Sequence, residues 1–397
     1  MKKIFALLLT LVMVFAMGCT PSKPTEIPTN APTDAPQTVV KAGLICLHDE
    51  NSTYDLNFIK GFKAACEAEG IEYIIKTGID ESNACYDAAA DLVDQGCNFV
   101  FADSFGHESY MIMAAQEYPN VQFCHATGTR AHTEGLKNYH NAFASIYEGR
   151  FLAGVAAGMK LLELGGTKMG YIGAFTYAEV ISGYTSFYLG AKYIIPDVEM
   201  EVLFTGSWYD EAKEKEAAEK LISDGCVLIS QHADSMGAPT ACENAGVPNV
   251  SYNGSTISAC PNTFIVSSRI DWEPYFHYAI NAIRNGEEIA TDYVGTIETG
   301  SVKLTDVNEK AAAAGTVEKL EEVKAKLLAG ELHVFDIETF TVEGEKMMSY
   351  MADVDSDDAY TPDTEVIVDG YFSESEFRSA PYFDLTIDGI HLQNSAF

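Results

Sequence analysis

Positive charge is scarce in this chain of 397 residues: 25 lysines and arginines face 58 aspartates and glutamates, for a formal net charge of −33. A field of that sign repels nucleic acid and anionic headgroups, and no basic cluster offers a local exception. A neutral or cationic small molecule therefore fits better than a polyanion. Tryptophan is scarcer still, with only two in the chain. Metal-binding spacings of the CxxC, HxxxH and HExxH kinds are absent, as are a GxxxxGK[ST] phosphate loop and a G-x-S-x-G elbow. Gly170-Tyr171-Ile172-Gly173 lacks the third glycine and the later acid of a dinucleotide fingerprint. His232 beside Asp234 is the best general base, but no nucleophile accompanies it, so neither enzymatic chemistry nor a cofactor or metal is expected.

What is present begins with an address. Lys2 and Lys3 precede an apolar run from Ile4 to Ala16, and Met17-Gly18-Cys19 has the form of a lipobox. That pattern predicts a signal peptide over 1–18 and lipidation of Cys19, with an ordinary secretory leader as the alternative. The Pro- and Thr-rich stretch 19–39 then reads as an extended tether. The expected product is an extracytoplasmic domain anchored to a membrane by lipid. Eight cysteines follow Cys19, an even count that suits disulfides in an exported chain. Cys46, Cys97, Cys124 and Cys226 nevertheless fall at or inside predicted buried strands, where thiols act as small hydrophobes, and free thiols are the expectation.

The body states one phrase twice. TGIDESNACYDAAADLVDQGC at 77–97 and TGSWYDEAKEKEAAEKLISDGC at 205–226 each lead through a short apolar run to Ala-Asp-Ser-x-Gly, at Ala102 to Gly106 and Ala233 to Gly237. Repetition at that scale marks a duplicated pair of α/β lobes, assigned to 40–145 and 146–269, with 270–397 crossing between them and completing both. First-lobe strands are predicted at Ala42–Leu47, Glu72–Lys76, Phe99–Ala102 and Gln122–Ala126; second-lobe strands at Met169–Ala174, Met200–Phe204, Leu228–Gln231 and Asn249–Tyr252. Ala142–Leu164 reads as one long helix between the lobes, and Asp306–Leu328 as a charged surface helix.

Open α/β sheets bind ligands beyond the carboxyl ends of their strands, which directs attention to the loops there. Asp103 and Asp234 can cap the helices that follow, face a ligand across the cleft, or do both. Trp208 interrupts the second copy at a strand-to-helix turn; it either covers a lobe edge or forms a stacking wall for a flat ring. Trp272 opens a helix and is either packed under the crossover or placed at the cleft. Tyr54 follows the first-strand loop, and Asn253 either makes a turn with Gly254 or reads a ring edge.

These residues belong to longer matches. Tyr147 to Gly154, GYIGAF at 170–175, GAKYIIPD at 190–197, GSWYDEAKEKEAA at 206–218, QHADSMG at 231–237 and SSRIDWEPYF at 267–276 occur in this order. Together they resemble the basic membrane protein family of substrate-binding lipoproteins over about Lys41 to Asn308. The resemblance implies a type I periplasmic-binding-protein fold, an α/β architecture of two Rossmann-like lobes about a hinged cleft, and a purine nucleoside or nucleobase handed to an ABC permease. It implies a ring held between Tyr54 and Trp208, polar contacts from Asp103, Asp234 and Asn253, a loop acid at Asp49, and contributions from Phe175 and Trp272. It departs from the family where nucleoside-binding relatives place a lysine and this chain has Arg269 and Asp271. A ligand sensor, or an importer component for a sugar or other small molecule, are the alternatives on the same fold.

Overall fold

A computed structural model describes residues 38–354 and 363–396. The first lobe runs β1 (Lys41–Ile45), α1 (Thr53–Glu69), β2 (Glu72–Lys76), α2 (Asn83–Asp94), β3 (Phe99–Ala102), a 3-10 turn (Phe105–His107), α3 (Glu108–Glu117), β4 (Gln122–Ala126), the short α4 (Ala131–Glu134) and β5 (Tyr139–Ala144). The second repeats it with α5 (Ile146–Leu164), β6 (Lys168–Gly173), α6 (Ala178–Lys192), β7 (Glu199–Phe204), α7 (Glu211–Ser223), β8 (Ile229–Gln231), α8 (Gly237–Ala245), β9 (Asn249–Tyr252) and β10 (Phe264–Ile270). Then come α9 (Glu273–Asn285), β11 (Asp292–Gly295), β12 (Val302–Leu304) and α10 (Thr316–Leu328). Two short ribbons pair β13 (Met351–Ala352) with β14 (Thr364–Glu365) and β15 (Ile367–Val368) with β16 (Tyr371–Phe372), and β17 (Ile390–Leu392) ends the series.

The duplication is visible in the sheets. Their orders are β11-β5-β4-β3-β1-β2 and β12-β10-β9-β8-β6-β7-β17, so the five repeated strands of each lobe follow one sequence of neighbours. β11 adds in parallel to β5, and β12 antiparallel to β10. The chain thus passes between the sheets at Ser145, after β10 and before β12, and three passages confine relative motion of the lobes to a hinge.

Local chemistry sets the element ends. Ser52 caps α1 by accepting from the Asp55 backbone N–H, and Gly70 closes the helix in the left-handed region at φ 65°. α5 and α6 touch through glycines: a Cβ at Gly154 would fall 2.0 Å from the Phe187 carbonyl oxygen, and one at Gly190 2.0 Å from that of Phe151. No other residue permits that approach.

Two predicted helices are shorter than expected. Tyr139–Ala144 is fully buried and pairs with both β4 and β11, so the predicted 142–164 helix starts only at Ile146. The partner strand is about 150 residues away, beyond any local signal. The 306–328 helix likewise starts at Thr316, after Gly315 at φ 79°. Before it, Thr305 and Asn308 donate backbone N–H groups to the Ser267 and Ile265 carbonyls, which holds that stretch against β10. All eight cysteines after Cys19 are free and buried. The signal and lipidation site lie outside the described residues, among which no helix is long and apolar enough to cross a membrane.

Residues 334–354 and 363–390 pack into the second-lobe core through Phe335, Phe340, Phe372, Tyr382 and Phe383. Glu374 is buried among them, one oxygen accepting from the backbone of Phe383 at 3.0 Å and the other without a partner. Burial raises its carboxyl to about 7 against an ordinary 4.5. The folded state therefore holds this proton more tightly than the unfolded one. Its stabilising effect is complete below about pH 4.5 and is lost as pH rises to about 7, by up to about 3 kcal/mol. Glu374→Gln should accordingly gain unfolding free energy over the wild type between pH 5 and pH 8 in denaturant titrations. A difference independent of pH would contradict this.

Candidate functional site

The loops that follow β1, β3 and β4 and those that follow β6, β7, β8 and β9 line one cavity between the lobes, at the two matching switch points where each sheet's order reverses. Leu47, His48, Tyr54, Asp55, Ser104, Phe105 and Thr127 come from the first lobe; Glu179, Trp208, His232, Asp234 and Asn253 come from the second. The empty space among them, open solvent included, amounts to about 370 Å³. None of these twelve residues is a lysine or arginine.

The lobes are drawn together around it. Thr53 donates from its backbone N–H to the Asp234 carbonyl at 3.1 Å and from its hydroxyl at 3.3 Å. Phe105 stacks on Tyr177 across the gap with ring centroids 5.1 Å apart, and His48 meets Tyr209 at 5.6 Å. These contacts tie the two lobes together beside the cavity, where a hydrogen bond shielded from water is worth more than one in solvent.

Each wall is braced from below. Trp208 is half-buried, with Phe175 edge-on at 5.0 Å and Tyr177 at 6.1 Å. The Asp234 backbone N–H donates to the Trp208 carbonyl at 3.0 Å, which couples wall and carboxylate. Asn253 occupies the left-handed region at φ 66° and donates its side-chain amide to Asp234 Oδ1 at 3.1 Å. Burial, then the charges of Asp55 and Glu214, push the Asp234 carboxyl well above the usual range. Its protonated form is thereby favoured, and a protonated carboxyl can donate as well as accept. Burial also lowers His232, against the pull of Glu179, whose Oε1 lies 3.6 Å from Nε2. Behind His232 the Tyr171 hydroxyl lies 3.4 Å from Nδ1 and accepts from Arg150, a fully buried guanidinium 4.4 Å above the Tyr252 ring. Arg150, the one buried lysine or arginine among the described residues, thus stays behind the cavity, held against aromatic faces.

Of the residues singled out from the sequence, Tyr54, Trp208, Asp234 and Asn253 line this cavity together. The other four lie elsewhere. Asp103 is fully buried below the floor: Tyr54 covers it, donating its hydroxyl to the Asp103 carbonyl at 2.8 Å, while Oδ1 accepts from Leu47 at 3.1 Å. Burial, then Asp55, pushes its carboxyl well above the usual range. Asp49 is exposed and ties its own loop by accepting from Asn51. Phe175 braces Trp208 from the side. Trp272, expected near the cleft, is 2% exposed in the first-lobe core, stacked on Phe58 at 4.3 Å and edge-on to Phe101 at 5.5 Å. Gly61 admits it, since a Cβ there would lie 3.0 Å from the Trp272 Cβ. Glu179, His48, Thr127 and Phe105 were missed, although each stands in a loop or first helical turn beyond a predicted strand.

The sequence profile described as "ABC transporter substrate-binding protein PnrA-like" matches residues 47–338. A purine-binding protein of Brucella abortus is 32% identical over 60% of this chain and 66% of its own length. A putative ABC transporter glucose-binding protein of Haloferax volcanii is 29% identical over 63% of this chain and 62% of its own. The chain thus spans about two thirds of the length of each of these relatives. An ABC transporter solute-binding protein from Conexibacter woesei superposes with a TM-score of 0.62, covering 74% of this chain and 98% of that one at 20% identity. The fold is that of type I periplasmic solute-binding proteins. The placement of Trp272 has a direct consequence: Trp272→Ala should lower unfolding free energy by about 3–5 kcal/mol, the cost of emptying a large aromatic site in a core. Thermal unfolding measures it, and an unchanged midpoint would show that the indole is not a core residue.

Proposed function

The chain belongs to the PnrA-like family of ABC transporter substrate-binding proteins, and on that premise we propose that it is an extracytoplasmic, lipid-anchored component that closes on a purine nucleobase or nucleoside and delivers it to a membrane permease. The observation that carries the reading is one cavity that holds Tyr54 from one lobe and Trp208 from the other, with Asp234 and Asn253 beside them. Aromatic faces accept any flat ring, at about 1–3 kcal/mol for each stacked base. Direction comes from polar groups. The Asp234 carboxyl, the Asn253 amide and the Glu179 side chain offer donors and acceptors to the edge of a heterocycle, so that none of its polar atoms is stranded on closure. The lack of a lining cation fits a neutral ligand and disfavours a phosphorylated one.

The purine-binding Brucella relative supports this ligand class. The glucose-binding relative supports a second reading, in which the same carboxyls and amide take sugar hydroxyls and the aromatic walls take the apolar face of a pyranose. No catalytic step is assigned. A lipid anchor at Cys19 would hold the cavity near a permease, and the tether over 19–39 would set its reach.

Two measurements test the reading. Small molecules released by denaturing freshly purified protein should be a purine base or nucleoside by mass spectrometry; a sugar would establish the second reading instead. Trp208→Ala should weaken binding of that molecule by at least about tenfold, the loss of one stacking partner, while the ligand-free melting temperature stays close to that of the wild type. Equal losses in both would make Trp208 a packing residue.

A further inference from the structure

Below the Tyr54 side of the cavity, four donor side chains from separate elements meet out of reach of solvent. Cys46 follows β1, Asp55 stands in the first turn of α1, Asp103 follows β3, and His107 ends the 3-10 turn. One ligand atom from each of Cys46, Asp55 and Asp103 lies within 4.8 Å of the other two. His107 Nδ1 lies 4.0 Å from Asp103 Oδ1, and all four residues are fully buried. Two of the atoms have no hydrogen-bond partner: Asp103 Oδ2 and His107 Nδ1.

The imidazole is already oriented. Its Nε2 lies 2.9 Å from the Ile79 carbonyl, which can only accept, so Nε2 carries the hydrogen and Nδ1 presents a lone pair toward Asp103. Metal-binding histidines are held in this way by a carbonyl on the far nitrogen. A proton shared by Asp55 and Asp103 would relieve the repulsion between their carboxylates. It would not reach Nδ1, because 4.0 Å exceeds a hydrogen bond. One cation satisfies both orphaned atoms at once.

We propose that Cys46, Asp55, Asp103 and His107 form a buried four-coordinate site for a zinc-like divalent cation. A thiolate and an imidazole beside two carboxylates suit zinc, whereas calcium and magnesium take oxygen alone. Zinc–ligand bonds of about 2.0–2.3 Å place neighbouring donors about 3.3–3.7 Å apart, so binding draws Cys46, Asp55 and Asp103 together from within 4.8 Å of one another and brings His107 in from the Asp103 side. No position remains open for a substrate. The ion's role is structural: Asp103 also receives the Leu47 N–H and the Tyr54 hydroxyl, and Asp55 receives the His48 N–H at 2.7 Å, so the ion would pin the loop that carries the first-lobe wall. The spacing search failed here because the donors come from four elements that only the fold assembles.

The test uses the whole protein, purified without chelator or added metal. Elemental analysis should find about one zinc per chain, and Cys46→Ser and His107→Gln should each lower that severalfold. Cobalt(II) loaded in place of zinc should give a near-ultraviolet thiolate-to-cobalt absorption that Cys46→Ser abolishes, a readout that the wild type alone can fail. Chelation should lower the melting temperature and added zinc restore it. Wild-type protein that retains no zinc after incubation with excess and gel filtration, and that shows no cobalt–thiolate band, would overturn the proposal. So would a zinc content that both substitutions leave unchanged.

Discussion

The parallel pairing of β1 with β3, and of β6 with β8, decides where the rest of the molecule can work. At that join successive helices leave to opposite sides of the sheet, so no helix covers the strand ends and a crevice opens beyond them. Two sheets with the same order, linked three times, bring two such crevices face to face. Tyr54 reaches the cavity because α1 starts just beyond β1; Trp208 reaches it because it stands in the six-residue loop between β7 and α7, at a position where the equally long first-lobe loop carries Asp80. The chemistry of the site depends on that placement more than on any single side chain.

Charge is handled in layers. The exterior of a chain at −33 is strongly acidic, whereas inside the cavity burial favours the uncharged forms of Asp234 and His232. Arg150 lies one layer back among aromatic rings, and the Cys46–Asp103 cluster lies one layer below on the other lobe. An approaching ligand therefore crosses an acidic surface into a space where burial favours hydrogen bonding at Asp234 and His232, beside Asp55, whose carboxyl is held below its usual range. Such a site selects by shape and donor pattern, not by Coulomb attraction.

The repeat, the strands named in each copy and the position of the loops were legible because they rest on periodicity and on turn residues, which are local. β5 pairs with β11 about 150 residues along the chain, so local periodicity extended a helix back across residues that the sheet claims. Depth was hidden for the same reason. Asp103 and Asp234 occupy equivalent turns, but one is roofed by Tyr54 and the other is open to the cavity, a difference made by helix α1 and absent from the repeat itself. Trp272 and Trp208 both stand beyond strands; only the packing of α9 on α1, admitted by Gly61, buries the first.

The far edge of the second sheet has a kinetic meaning. β17 pairs with β7 in parallel, Asn394 exchanges hydrogen bonds with Phe204, and the Ala396 carbonyl accepts from Thr176 beside the Trp208 loop. Those partners are separated by about 190 residues, and closing so long a loop is slow whatever the final stability. Until β17 docks, β7 offers an unpaired, apolar strand edge of the kind through which chains recruit one another into aggregates. The segment that finishes the sheet thus also guards it during folding, and a variant that slows its docking would lose soluble yield before it lost affinity.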